Sequence, residues 1–158
     1  MISADDLFVL LSGLPAALRG PVLAVQVGNG YAAAALAMQG HRVVAVETHD
    51  GLRAEAQQRL QALGFASSVS WADASADLRS GESTSGCAGA LVLGTWTGSI
   101  ASLVSWLPTL PWVVGALAGD GMPPRLVSWR GEQGPGQALL GEVLAVPPLL
   151  GWPSLAVG

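Results

Sequence analysis

The stretch from Pro21 to Glu47 constrains the fold more than any other part of the chain, because it reads as strand, glycine turn, helix and second strand in immediate succession. Val22 to Val27 (VLAVQV) is rich in β-branched residues and mostly apolar, as a strand covered on both faces should be. Gly28-Asn29-Gly30 interrupts it. Tyr31 to Gln39 (YAAAALAMQ) is dominated by alanine, the best helix former, and Gly40 stands where a left-handed stop belongs. Arg42 to Val46 (RVVAV) gives the second strand, and Glu47 closes the unit. Such a βαβ crossover sets two parallel strands side by side with the helix on one face, in a right-handed sense.

Ligands of nucleotide type bind at the carboxyl ends of strands joined in this way. Glycines at the first turn let the backbone come close to the ligand. A carboxylate seventeen positions after Gly30, at Glu47, has the reach to accept hydrogen bonds from both hydroxyls of a ribose. The fingerprint is incomplete: Gly28 and Gly30 are present, and Gln26 occupies the position where a further glycine is sought. A glycine pair ahead of a helix also serves as ordinary turn chemistry, so it is the combination with Glu47 that points to a nucleoside.

Composition narrows the class. The chain has 158 residues, of which 51% are hydrophobic and only 11% charged, against about 25% charged in a typical globular domain. One domain, residues 1–158, accommodates this length, and a surface so poor in charge implies cover by a second copy or a protein partner. Seven arginines, no lysine and a net charge of −4 exclude the basic stripe that a nucleic-acid partner requires. The uncharged run Ser83 to Gly119 is long enough for a membrane span, but Gly94, Thr95, Thr97, Gly98, Pro108 and Pro111 break it, and no span is expected. Asp5 and Asp6 precede Leu7 to Leu11, which does not fit a secretory leader, so a cytoplasmic location is expected. Cys87 is the lone cysteine, expected as a small buried hydrophobe. His41 and His49 flank the second strand as loop residues, and no metal site is expected.

In chain order, Ser3 with Asp5 and Asp6 marks a helix start, with Leu7, Leu10, Leu11 and Leu14 as its apolar stripe. After the βαβ unit a second helix runs from Asp50 to Gly64 and buries Leu52, Ala56, Leu60 and Leu63. Ser67 to Trp71 is a third strand, followed by Asp73, either a second acid at the ligand edge or a helix cap. Arg79 to Gly89 is a loop. Strands follow at Ala90–Trp96, Pro111–Leu117, Arg125–Arg130 and Glu142–Val146, with a helix over Ile100–Leu107. This order predicts an α/β, three-layer α-β-α, doubly wound fold with seven mostly parallel strands ending in an antiparallel hairpin.

Those features together resemble the S-adenosylmethionine-dependent methyltransferases of class I, and most of all the protein-L-isoaspartate O-methyltransferases. Val22 to Tyr31 (VLAVQVGNGY), Arg42 to Glu47 (RVVAVE), Trp71-Ala72-Asp73-Ala74 and the tail Arg125 to Gly151 carry the resemblance, which covers about residues 20 to 151. It implies S-adenosyl-L-methionine as cofactor, held by Gly28, Asn29, Gly30, Tyr31, Glu47 and Asp73, and a protein, peptide or small carboxylate as methyl acceptor. Thr95, at the end of the fourth strand, is the candidate for positioning the acceptor; a strand-end threonine bonding its own backbone is the alternative. Two departures stand out. Ala24 and Gln26 replace the acid and glycine expected on the first strand, and only about 20 residues precede that strand, where the family has a longer covering segment. A methyltransferase-like protein without catalysis, acting as a structural or interaction subunit, is therefore the alternative function, and binding of another adenine nucleotide is a third.

Overall fold

The structure is a computed structural model, and it describes residues 2–14, 20–72, 86–96, 110–118, 123–130 and 139–143. Among them lie three α-helices, α1 (Ala4–Ser12), α2 (Tyr31–Met38) and α3 (Asp50–Ala62), and seven strands. The strands are β1 (Val22–Val25), β2 (Val43–Val46), β3 (Val69–Trp71), β4 (Gly89–Trp96), β5 (Trp112–Leu117), β6 (Arg125–Arg130) and β7 (Leu139–Val143). They form one sheet in the order β3-β2-β1-β4-β5-β6-β7. The first five run parallel, and β6 pairs antiparallel with both β5 and β7. This is the doubly wound sheet with a closing antiparallel hairpin expected from the sequence. The helix expected over Ile100–Leu107 lies outside the described residues.

The order β3-β2-β1-β4 follows from the two crossovers on one side of β1 and the return to its other side, so β1 becomes central and all four of its residues are buried. A topological switch point of this kind opens a crevice at the carboxyl ends of the strands beside it. Val25 pairs with Val46 and with Val92, which places the ends of β1 and β2 level with each other at that crevice.

The helices are set by their ends as the sequence requires. Ser3 caps α1, its hydroxyl accepting from the Asp6 backbone N–H at 3.1 Å. Leu10 is fully buried, while Leu7, Leu11 and Leu14 pack against the core from its edge. Both α2 and α3 end in the paired bonds of a Schellman stop: the His41 N–H reaches Leu36 and that of Gly40 reaches Ala37, as those of Phe65 and Gly64 reach Leu60 and Gln61. The core is aliphatic, built on Leu23, Leu36, Leu60, Leu91 and Val113. Trp112 joins it by lying flat on Gly89 of the neighbouring strand, where a β-carbon would come within 2.2 Å of the indole.

Several expected boundaries move, each for a physical reason. β1 stops at Val25 instead of Val27, because Gln26 takes a positive φ of 60° that no ladder accommodates. Ser67 and Ser68 belong to a short 3-10 turn, leaving Val69–Trp71 as strand. Gly89 belongs to β4 instead of the loop before it, held there by the contact with Trp112. β7 begins at Leu139, three residues earlier than expected, because Leu139 and Leu140 pair with Ser128 and Val127 of β6. On α3 only Ala56 and Leu60 are buried; Leu52 and Leu63 are 37% and 52% exposed, because both line an open cleft.

A candidate nucleoside site at the carboxyl edge of the sheet

Where β1 ends, the chain is turned out of the sheet but stays tied to β2. The N–H groups of Gln26 and Val27 both donate to the Val46 carbonyl, at 2.8 and 3.3 Å. A turn follows, closed by the Gly30 N–H on the Val27 carbonyl at 3.0 Å. Its first central residue, Gly28, has φ 58°, the left-handed value that primed turns require at that position. A β-carbon on Gly28 would meet nothing within 4 Å, so the space beside it is open. Gly30 differs. Its φ is 92°, and a β-carbon there would stand 3.0 Å from both Cα and Cβ of Ala56. The first glycine leaves room beside the turn, and the second lets α3 pack against it.

Glu47, one residue past β2, turns its carboxylate back to this bend. One oxygen accepts from the Gly28 N–H at 2.8 Å and the other from the His49 N–H at 2.9 Å. The residue is 6% exposed, the buried charged residue among those described. Burying a carboxylate is costly unless it is hydrogen-bonded, and these two N–H groups satisfy that need. An ionised carboxylate has about four acceptor positions. With two of them used by these N–H groups, acceptor capacity remains on the carboxylate.

Around this carboxylate lies a cleft of about 960 Å3. Gln26, Gly28, Asn29, Tyr31, Glu47 and His49 are among its lining, and the rest is mostly apolar, Leu7, Met38 and Leu63 included. Glu47 is the charged side chain among the described lining residues.

The structure thus gathers Gly28, Asn29, Tyr31 and Glu47 around one cleft, with Gly30 behind the turn against α3. Asp73 lies outside the described residues. Thr95 lies in β4 level with Ala116 of β5, just beyond a register shift, near the carboxyl end of the strand; its side chain is outside the description. Cys87 precedes β4, at the opposite, amino-terminal end of the sheet, and burial pushes its thiol above the ordinary value. His41 precedes β2 and His49 follows it, so the two stand at opposite ends of one strand. Among the described residues no group of three or more His, Cys, Asp or Glu side chains is arranged to hold a metal ion, and no helix is long and apolar enough to cross a membrane.

Sequence reasoning missed two contributors. His49 is the N-cap of α3, its Nδ1 accepting from the Leu52 N–H at 3.3 Å, and it lines the cleft. Arg59 donates to the Asn29 carbonyl, lies 4.4 Å over the Tyr31 ring and pairs with Glu55 at 3.2 Å. A signal for Arg59 was present: Glu55 and Arg59 stand four apart on a helix, the favourable order for an ion pair, and Arg59 shares a face with Ala56, three positions earlier. What could not be seen was that this face meets the glycine turn.

A central β1, a glycine turn, an acid at the end of β2 and a closing antiparallel hairpin make a Rossmann-like sheet, a fold that this chain shares with S-adenosylmethionine-dependent methyltransferases of known structure. Solved structures bear this out. A protein-L-isoaspartate O-methyltransferase superposes with a TM-score of 0.70 at 13% identity, over 90% of this chain and 46% of its own. A Plasmodium falciparum protein assigned to the same enzymes, in complex with S-adenosyl-L-homocysteine, gives 0.64 at 13% identity, over 91% of this chain and 71% of its own. A methyltransferase of Geobacter sulfurreducens, bound to the same product, gives 0.53 at 19% identity, over 73% of this chain and 48% of its own. At such identities the likeness is one of fold, and this chain spans about half the length of the first and third of these proteins. No protein-family model and no curated protein sequence matches it.

Proposed function

We propose that the chain binds S-adenosyl-L-methionine in this cleft and is a methyltransferase acting on a carboxylate or another small acceptor, free or on a protein or peptide. The observation that carries the reading is the Glu47 carboxylate, held on the N–H groups of Gly28 and His49 with acceptor capacity left over. The open space beside Gly28 and the size of the cleft fit an adenosine. The solved structures bound to S-adenosyl-L-homocysteine support the same ligand.

The cofactor, when bound, supplies an electrophilic methyl on a sulfonium. The chain's own residues bind and orient. Glu47 accepts from the ribose hydroxyls, and the turn from Gly28 to Gly30 lets the backbone approach. The apolar lining offers contact area to the uncharged parts of the ligand. Transfer to a carboxylate demands alignment more than acid or base help, so no catalytic dyad is required. Thr95 and Asp73 are proposed to orient the acceptor and to face the adenine, respectively. The exposed Phe8 and Met38, each 73% accessible, support cover by a partner or a second copy.

Calorimetric titration with S-adenosyl-L-homocysteine tests the reading. Binding by the unaltered chain is expected, weakened by roughly 1–3 kcal/mol in Glu47→Ala, the scale for losing a charged hydrogen-bond acceptor. Absence of heat with the unaltered chain at millimolar ligand overturns it, as does equal affinity in the variant.

A further inference from the structure

We infer that Arg59 is the positioning residue of this cradle, an inference that rests on the ligand reading above. One guanidinium makes three contacts, two of them to the turn and the residue that follows it. It donates to the Asn29 carbonyl through Nη1, spans the Tyr31 ring at 4.4 Å and is itself oriented by Glu55 through Nη2 at 3.2 Å. Its side chain is only 25% exposed.

The consequence follows from peptide planarity. The C=O of Asn29 and the N–H of Gly30 belong to one rigid plane and point in opposite directions. The N–H end is fixed on the Val27 carbonyl at 3.0 Å, and the C=O end is fixed by Arg59. With the Gly28 N–H fixed on Glu47, both ends of the turn are set before any ligand arrives. The Asn29 carbonyl is drawn to α3, and the Tyr31 ring, more than half exposed, is held by the cation on one side while it lines the cleft. A ligand then meets a wall already ordered, and the cost of ordering it at binding is avoided.

Only a planar, forked cation serves all three partners together. A lysine ammonium at the same place keeps the charge and the pair with Glu55, but it cannot also bond the carbonyl and lie flat on a ring. Removing the guanidinium therefore acts on ligand affinity more than on folding.

The test is calorimetric titration of the full chain, Arg59→Ala and Arg59→Lys with S-adenosyl-L-homocysteine, beside their thermal melts. Expected is a loss of affinity of about five- to twenty-fold in both variants, the scale of freeing one or two side chains that must be ordered again on binding. Arg59→Lys is expected to melt close to the unaltered chain. Binding within two-fold of the unaltered chain in both variants overturns the positioning role and leaves the ligand reading intact. A fall in affinity that tracks the fall in melting temperature across the two variants also overturns it, since that is the signature of a merely structural arginine. If the unaltered chain does not bind, the ligand reading and this role fall together.

Discussion

Gly30→Ala separates the two glycines of the turn by energy. Two costs add at Gly30. Its φ of 92° is left-handed, and forcing an alanine there costs about 1–2 kcal/mol. The new β-carbon would also stand 3.0 Å from Cα and Cβ of Ala56. Neither is the end of a flexible side chain, so α3 itself must give way, an overpacking cost of about 1–3 kcal/mol. The sum, roughly 2–5 kcal/mol, lowers the melting temperature by about 5–15 °C for a chain of this size. Gly28→Ala carries the backbone cost alone, since nothing lies within 4 Å of its β-carbon, and is expected to cost about 1–2 kcal/mol. Urea unfolding of both variants measures the difference. Adding Ala56→Gly to Gly30→Ala relieves the Cβ contact but not the Cα one, so the double variant should be more stable than the sum of the singles by about 1 kcal/mol. Equal stability of Gly28→Ala and Gly30→Ala, or strict additivity with Ala56→Gly, would refute the claim that α3 occupies the place of the second glycine's side chain.

Other parts of the molecule give shorter tests. Gln26 holds φ 60° without being glycine; Gln26→Gly should be neutral or stabilising in urea unfolding, while Gln26→Val, β-branched at a left-handed position, should cost about 1–3 kcal/mol, and the reverse order would remove the strain argument. Gly89→Ala would place a carbon 2.2 Å from the Trp112 ring, so a loss of about 3 kcal/mol or more is expected by denaturant titration, and a mild variant would show that the indole does not lie on that strand. Burial raises the Cys87 thiol above its ordinary 9.0, so the folded chain stays neutral there while the unfolded one ionises. This stabilising contribution is complete below about pH 9 and fades as pH rises further. Cys87→Ala should flatten the decline of stability above that pH, and an unchanged slope would assign it to other groups.

The fold was legible because its signals are periodic. Apolar runs of β-branched residues between glycines gave β1, β2, β4, β5 and β6 to within a residue or two, and the Schellman glycines after α2 and α3 marked both stops. β7 was less legible because Leu139 and Leu140 read as strand only once their partners Ser128 and Val127 are known. The site was half legible. Glu47 follows from strand spacing, since a parallel pair of known register places the residue after β2 beside the turn after β1. Arg59 does not, because its role depends on which face of α3 meets the turn, and that is set by the packing of Gly30 on Ala56. A pair of glycines is present where the fingerprint has three because Gln26 itself adopts the left-handed backbone that a further glycine would take without strain.

The polar groups of the candidate site, apart from Ser3, come from one contiguous unit, β1 to α3, and several of them serve twice. Glu47 joins the ends of two strands through the Gly28 N–H and offers its remaining acceptors to a diol. The Gly28 to Gly30 turn starts α2, receives α3 and leaves space for a ligand. Arg59 pairs along its own helix and pins the turn. Because β1 and β2 are in register from Val22 with Val43 to Val25 with Val46, a one-residue slip would carry Glu47 to the other face of the sheet. Strand register and the placing of the buried carboxylate beside the turn are thus one structural decision, made when β1 and β2 pair.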